Sequence, residues 1–139
     1  MKKFFSAITA TILLLSMCTI AYASENTEKA ADSLYGMRYT YISYTTTSIN
    51  ISNGLATVSN SISCNSDVDK VTVSSYLQKY SNGTWTTLKH WTDTENDNRY
   101  AGTHTYYVAS GNSYRVLTYF YAYDGSASES VTEYAYQDY

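Results

Sequence analysis

Short Asx-Gly pairs recur along the chain, at Asn53-Gly54, Asn82-Gly83 and Asp124-Gly125, each between two runs of alternating polar and apolar residues. Asn, Asp and Gly reach positive φ cheaply, as tight hairpin turns demand. A chain punctuated this way doubles back into antiparallel strands. Ser110-Gly111-Asn112 supplies a fourth turn, and Asn65-Ser66-Asp67 and residues 93–98 supply polar loops. The runs between them are rich in Val, Ile, Thr and Tyr, which suit pleated, half-buried surfaces, and no segment beyond residue 35 carries an apolar stripe of helical period.

The punctuation predicts seven strands: 37–51 (broken near Thr46), 55–64, 70–80, 84–92, 99–109, 114–123 and 128–136. Ala56, Val58, Ile62 and Cys64 share one face of the second run, and Val71, Val73, Ser75 and Leu77 share one face of the third. In the fourth run strict alternation places Trp85, Thr87, Lys89 and Trp91 together. Seven short strands at this spacing read as an all-β sandwich or barrel.

The N-terminus is a separate matter. Lys2 and Lys3 precede an apolar run from Phe4 to Ile20, and Ala21-Tyr22-Ala23 offers the small-x-small pattern of a signal peptidase site. The run is short beside the ~20 apolar residues of a membrane span. Residues 1–23 are therefore expected to be a secretory signal peptide, and the mature form to be secreted or held at the cell envelope with no membrane span. Cys18 lies in the apolar run, but Met17 before it is too bulky for a lipoprotein signal. Residues 24–34 are polar and lack aromatics, the composition of a flexible leader, and residues 35–139 form the domain. Removal of Cys18 leaves Cys64 alone, so an intramolecular disulfide is excluded. Cys64 reads as a small buried strand residue.

The segment Ser110-Gly111-Asn112-Ser113-Tyr114-Arg115-Val116, followed by Ala122 and Asp124-Gly125-Ser126, resembles the end of a fibronectin type III or related immunoglobulin-like domain. The resemblance implies a single seven-stranded antiparallel β-sandwich. It also implies a tyrosine corner, in which the Tyr114 hydroxyl bonds back to the preceding loop. The chain departs from that pattern in having no Pro, no Trp on the second or third strand and no Cys pair. It is similar, too, to small Tyr-rich secreted proteins of Gram-positive bacteria.

Chemistry-bearing residues are few. Net charge is −3, which argues against a nucleic-acid partner. There is no Gly-x-Ser-x-Gly elbow, His-Glu-x-x-His helix or phosphate loop, and His90 and His104 read as structural strand residues. No catalytic residue is assigned and an enzyme is not expected.

Two features remain. In the sandwich topology, Asp67, Asp69, Asp93, Glu95, Asp97 and Asp124 lie in loops at one pole. Residues 93–97 alternate oxygen-bearing side chains as a calcium loop does, but Asn98 stands where an EF-hand has Gly and His104 where it has its bidentate Glu. No cofactor is expected; calcium at these loops is the alternative to plain solvated turns. The second feature is aromatic. Tyr76, Tyr80, Trp85, Trp91, Tyr119, Tyr121 and Tyr123 take the parity opposite the core residues on strands three, four and six, which share one sheet in this topology. These rings are expected on one outer face, with Trp85 and Trp91 pointing the same way. Such a face stacks on sugar rings or docks a protein at the cell surface; alternatively the rings serve the sheet through cross-strand pairs. The leading reading is a non-enzymatic binding module. Assembly through sheet edges unguarded by Pro comes second, and a small extracellular hydrolase third.

Overall fold

A computed structural model describes residues 39–139. The expected signal peptide and leader lie outside them. Seven strands follow one another: β1 (Ile42–Ser52), β2 (Leu55–Cys64), β3 (Lys70–Ser81), β4 (Thr84–Glu95), β5 (Arg99–Tyr107), β6 (Ser113–Tyr123) and β7 (Ser128–Asp138). Every pairing is antiparallel. The strands form two sheets, one in the order β1-β2-β5 and the other β4-β3-β6-β7, stacked as a sandwich. The described residues contain no helix.

The turns take the predicted geometry where the sequence is most explicit. Asn53 and Gly54 have φ of 50° and 79°, and Asn82 and Gly83 have 51° and 80°. Positive φ at both central residues is the signature of the type I′ turn, whose twist matches that of the flanking strands. The third Asx-Gly pair works differently. The Asp124 carboxylate accepts from the backbone N–H of Ser126 (2.9 Å) and Ala127 (2.6 Å), holding a wider loop.

Period-two alternation fills the interior. Ala56, Val58, Asn60, Ile62 and Cys64 of β2 face Tyr114, Val116, Thr118, Phe120 and Ala122 of β6, with Val71, Val73, Ser75 and Leu77 of β3 beside them, and all are buried. The apolar interior is split in two. One cluster centres on Ile62, Val71, Val73 and Phe120, the other on Val58, Leu77, Tyr114 and Val116. Between them lies a buried polar layer. Asn60 donates to Ser75 Oγ (2.8 Å), and its Oδ1 accepts from Thr118 (3.1 Å) and Thr47 (3.0 Å). These bonds tie both sheets at one register, because a one-residue slip would bury each polar group against apolar neighbours. At the end of this interior the Tyr114 hydroxyl donates to Ala109 O at 2.6 Å, forming the expected tyrosine corner.

Three expectations need correction. The irregularity in β1 falls at Ser43, between Ile42 and Tyr44, rather than near Thr46. The edge of β1 is not unguarded: side chains on the inward face of β7 bond to it. The Glu129 carboxylate accepts from the backbone N–H groups of Thr40, Tyr41 and Ile42 at 2.7–2.9 Å. Glu133 accepts from the Thr45 hydroxyl, and Gln137 both accepts from Ile51 N (2.8 Å) and donates to Ile51 O (3.2 Å). Glu129 and Gln137 thus occupy backbone donors that an added strand would use, and Glu133 holds a side chain between them.

The third correction concerns β4. Leu77 pairs with Lys89 while its neighbour Gln78 pairs with Thr87, so Leu88 is an extra residue, a β-bulge. A bulge shifts parity. Before it Trp85 pairs with Tyr80 on the outward face; after it Trp91 pairs with the buried Ser75. Leu88 and Trp91, three residues apart, both pack against the interior. Strict alternation would send one of them to solvent, and the inserted residue brings both inside. Trp85 and Trp91 therefore point to opposite faces.

Candidate functional site

The outward face of the four-stranded sheet carries the candidate site, and the register builds it row by row. Trp85 and Tyr80 stand side by side at one end. Thr87, Gln78, Arg115 and Tyr136 form the next row, then His90, Tyr76, Leu117 and Tyr134. Thr92, Ser74, Tyr119 and Thr132 follow, then Thr94, Thr72, Tyr121 and Ser130, and finally Lys70, Tyr123 and Ser128. Rows along a strand are separated by two residues, ~6.7 Å.

Six of the expected rings thus share this face: Tyr76, Tyr80, Trp85, Tyr119, Tyr121 and Tyr123. Trp91 leaves it for the reason just given. Its place is taken by His90, whose ring stacks on Tyr76 with centroids 4.1 Å apart and 8° between planes. Tyr119 meets Tyr76 edge to face at 6.0 Å, and Tyr121 and Tyr123 lie 6.5 Å apart. At the other end Tyr80 and Trp85 are 5.1 Å apart, and Tyr136 meets Trp85 edgewise at 6.0 Å. Tyr134 and Tyr136, absent from the sequence reading of the site, are among its most open members at 48% and 61% exposure. Their two-residue spacing on the last run, out of phase with Val131, was the available signal.

Arg115 organises this end. Its guanidinium lies 4.5 Å from the Trp85 ring centroid and 5.3 Å from that of Tyr134, and its Nε donates to Gln78 Oε1 at 2.7 Å. Gln78 is held in turn by donating to Thr87 (3.0 Å). Lys70 sits over Tyr123, 4.6 Å from the ring centroid. A cation over a ring face is attracted by the ring quadrupole. Between the rings run hydroxyls, some paired across strands: Thr72 with Thr94 at 3.1 Å and Ser74 with Thr92 at 3.2 Å. Leu117 is the one aliphatic side chain on this parity. The surface is one of rings and hydroxyls.

Trp91 belongs to a different cluster, on the seam where β4 and β5 meet without backbone pairing. Its ring stacks on His104 at 5.0 Å and 9°. The Asp93 carboxylate lies 2.7 Å from His104 Nε2. Burial, then a hydrogen bond to Asp93, pushes the Tyr100 phenol well above its ordinary range. Gly102 makes room for this ring; a Cβ there would stand 1.9 Å from the Tyr100 hydroxyl. Asp93 and His104 thus join the two sheets.

The acidic residues do not assemble as expected. The loops are neighbours: Asn98 donates to Asn65 O (3.1 Å), and Asp69 N donates to Tyr123 O (2.8 Å). Asp67, Asp69, Asp97 and Asp124 therefore belong to one end. Yet among the described residues no three His, Cys, Asp or Glu side chains come together as a metal site requires. Asp93 is turned into the seam. The Asp124 carboxylate, bonded by Tyr41 and by its own loop, is held well below the usual carboxylate range. Cys64 is buried, which pushes its thiol up to about 11. It is an inert packing residue at neutral pH.

No family model and no curated protein matches the chain. Among solved structures, the solution structure of CsgH from R. palustris is similar at 16% identity, with a TM-score of 0.34, over 68% of this chain and 92% of that one. Among the described residues no helix is long and apolar enough to cross a membrane.

Proposed function

We propose that this chain is an exported, non-enzymatic binding module that holds an extended glycan on the outward aromatic face of β4-β3-β6-β7. The observation that supports this reading most is the composition of that face. Rings stand on all four strands among Ser and Thr hydroxyls, with Leu117 alone supplying aliphatic surface. A sugar ring offers an apolar C–H face to stack and a rim of hydroxyls to bond, the complement of such a surface. Protein interfaces, by contrast, concentrate energy in anchors buried at an apolar centre and are depleted in Ser. Tyr119, Tyr121 and Tyr123 step along β6 at ~6.7 Å intervals, which suits a polymer lying along the strand. Assembly by edge pairing is opposed at the β1 edge, where Glu129 and Gln137 already bond backbone N–H groups, and would have to use β4, β5 or β7.

Affinity electrophoresis through gels containing neutral and charged polysaccharides tests the proposal. At least one polymer should retard the wild type, and Trp85→Ala should reduce that retardation by ~30-fold in affinity, the loss of one aromatic anchor. Retardation by none of them, with the protein folded, refutes the reading.

A further inference from the structure

We infer that the polymer taken by this face is an acidic polysaccharide, carrying carboxylates on its sugar rings, and that Arg115 and Lys70 select it. The inference rests on the glycan reading above and adds its charge.

The first ground is segregation of charge. The chain is acidic overall, at net −3. On the strands of this sheet, however, Asp93, Glu95, Glu129 and Glu133 all fall on the inward parity, paired in register with Val73, Val71, Ala122 and Thr118. There Asp93 holds His104 and the two glutamates hold β1. The outward parity carries Asp138 at the last position of β7 and no other carboxylate. It does carry two cations. Among the described residues the one ion pair is His104 with Asp93, so neither Arg115 nor Lys70 has a carboxylate partner. Between Arg115 and Lys70 the face thus offers an anion unpaired cations and no carboxylate, while Asp69 and Asp124 stand just beyond Lys70 and Tyr123 at the loop end and Asp138 at the other.

The second ground is the state of Arg115. The Trp85 and Tyr134 rings, 4.5 and 5.3 Å from it, and the bond from Nε to Gln78 hold the guanidinium in place. Only Nε is engaged within the protein, which leaves both terminal amino groups. Those two groups form the fork that receives a carboxylate in bidentate fashion, and a guanidinium already fixed loses little entropy in doing so.

The third ground is spacing. In register Arg115 stands beside Gln78 and Lys70 beside Tyr123, eight residues along the strands or ~27 Å. Tyr119 and Tyr121 lie between. The complement is a long chain with repeated acidic groups and stackable faces between them. An acidic peptide has the charge without the stackable faces. A nucleic acid has stackable bases but a phosphate at each nucleotide, a charge density that two cations do not match.

The test uses the full chain with four probes: polygalacturonate, the same polymer methyl-esterified, polyglutamate and a dT oligonucleotide. Titration calorimetry should show polygalacturonate bound ~10-fold more tightly than its ester, with the difference shrinking as salt rises to roughly 0.3 M. Arg115→Gln and Lys70→Gln should each remove most of that difference between acid and ester. Lys70 lies outside the Arg115 stack, so it decides the matter if Arg115→Gln melts early. Equal affinity for acid and ester overturns the inference, and polyglutamate or the oligonucleotide binding as well as polygalacturonate does so too. In the case of equal affinity, Trp85→Ala still weakening both polymers keeps the glycan reading; Trp85→Ala without effect on either defeats that reading also.

Discussion

The two tryptophans of β4 are the sharpest test of the bulge at Leu88, because they lie six residues apart yet serve opposite faces. Trp91 packs against the Val58–Leu77–Tyr114–Val116 cluster and stacks on His104. Replacing a fully buried Trp by Ala costs ~3–5 kcal/mol. Trp91 is half-buried, so we expect ~3 kcal/mol for Trp91→Ala, the low end of that range. Trp85 is half-buried as well, but on the outward face, where it loses two aromatic pairs, with Tyr80 and Tyr136, and its contact with Arg115 rather than packing against the interior. At ~0.5 kcal/mol each for such contacts in partly wet positions, Trp85→Ala should cost ~1–1.5 kcal/mol. For a domain of this size 1 kcal/mol moves Tm by ~4–8 °C, so the two variants should differ by roughly 6–16 °C, with Trp91→Ala lower. Thermal melts followed by near-ultraviolet circular dichroism read the difference directly. Deletion of Leu88 sharpens the test: it removes the inserted residue, restores regular pairing and leaves Trp85 and Trp91 five apart on the faces they already occupy, so it should cost no more than the loss of the Leu88 side chain in Leu88→Ala. Equal melts for the two Trp variants, or a deletion that costs far more than Leu88→Ala, would refute the parity shift.

Tyr114→Phe removes the corner bond to Ala109 while keeping the ring, and equilibrium urea unfolding should show a loss of ~1 kcal/mol. Asn60→Ala takes a partner from each of Ser75, Thr118 and Thr47 in the polar layer and should cost ~2–3 kcal/mol, with Asn60→Val no better because the layer then keeps only the 3.3 Å bond between Ser75 and Thr118. Asp124 is held below its ordinary pKa, so its ionised form favours the fold. That contribution is fully present above the unfolded carboxylate value of ~3.9 and fades as pH falls through it towards the lower folded value. The stability gap between wild type and Asp124→Asn should accordingly be open at pH 6 and closing near pH 2–3; a constant gap would contradict the assignment. Cys64, buried and raised to about 11, should resist iodoacetamide at pH 8 in the native state and react at once in denaturant.

Much of this architecture is written locally. Two Asn-Gly turns carry their own geometry, since both residues accept positive φ, and they set the β1–β2 and β3–β4 hairpins. Strict alternation on β2, β3 and β6 assigns faces residue by residue, because a pleated strand has period two. The tyrosine corner is legible from Ser110 to Val116 for the same local reason: Tyr114 reaches back five residues, to Ala109. Six of the seven expected rings take their face from those rules, while the shared sheet beneath them was what the resemblance to a sandwich implied.

What the tertiary structure alone decided lies where alternation breaks or where partners are distant in sequence. Nothing in residues 84–95 announces a bulge. It exists because Leu88 and Trp91 both find apolar room across the sandwich, and that room is lined by Val58, Tyr114 and Val116 from other strands. The exchange of His90 for Trp91 on the outer face follows from it. Glu129, Glu133 and Gln137 find partners only when β1 arrives alongside: backbone N–H groups for Glu129 and Gln137, and the Thr45 hydroxyl for Glu133. Asp93 read as a loop ligand until His104 of the other sheet stood 2.7 Å away. Parity and turns are properties of neighbours in the chain, so a sequence determines them by itself. Which face receives a ring, and which carboxylate is already spoken for, depends on strands that only the folded sandwich brings together.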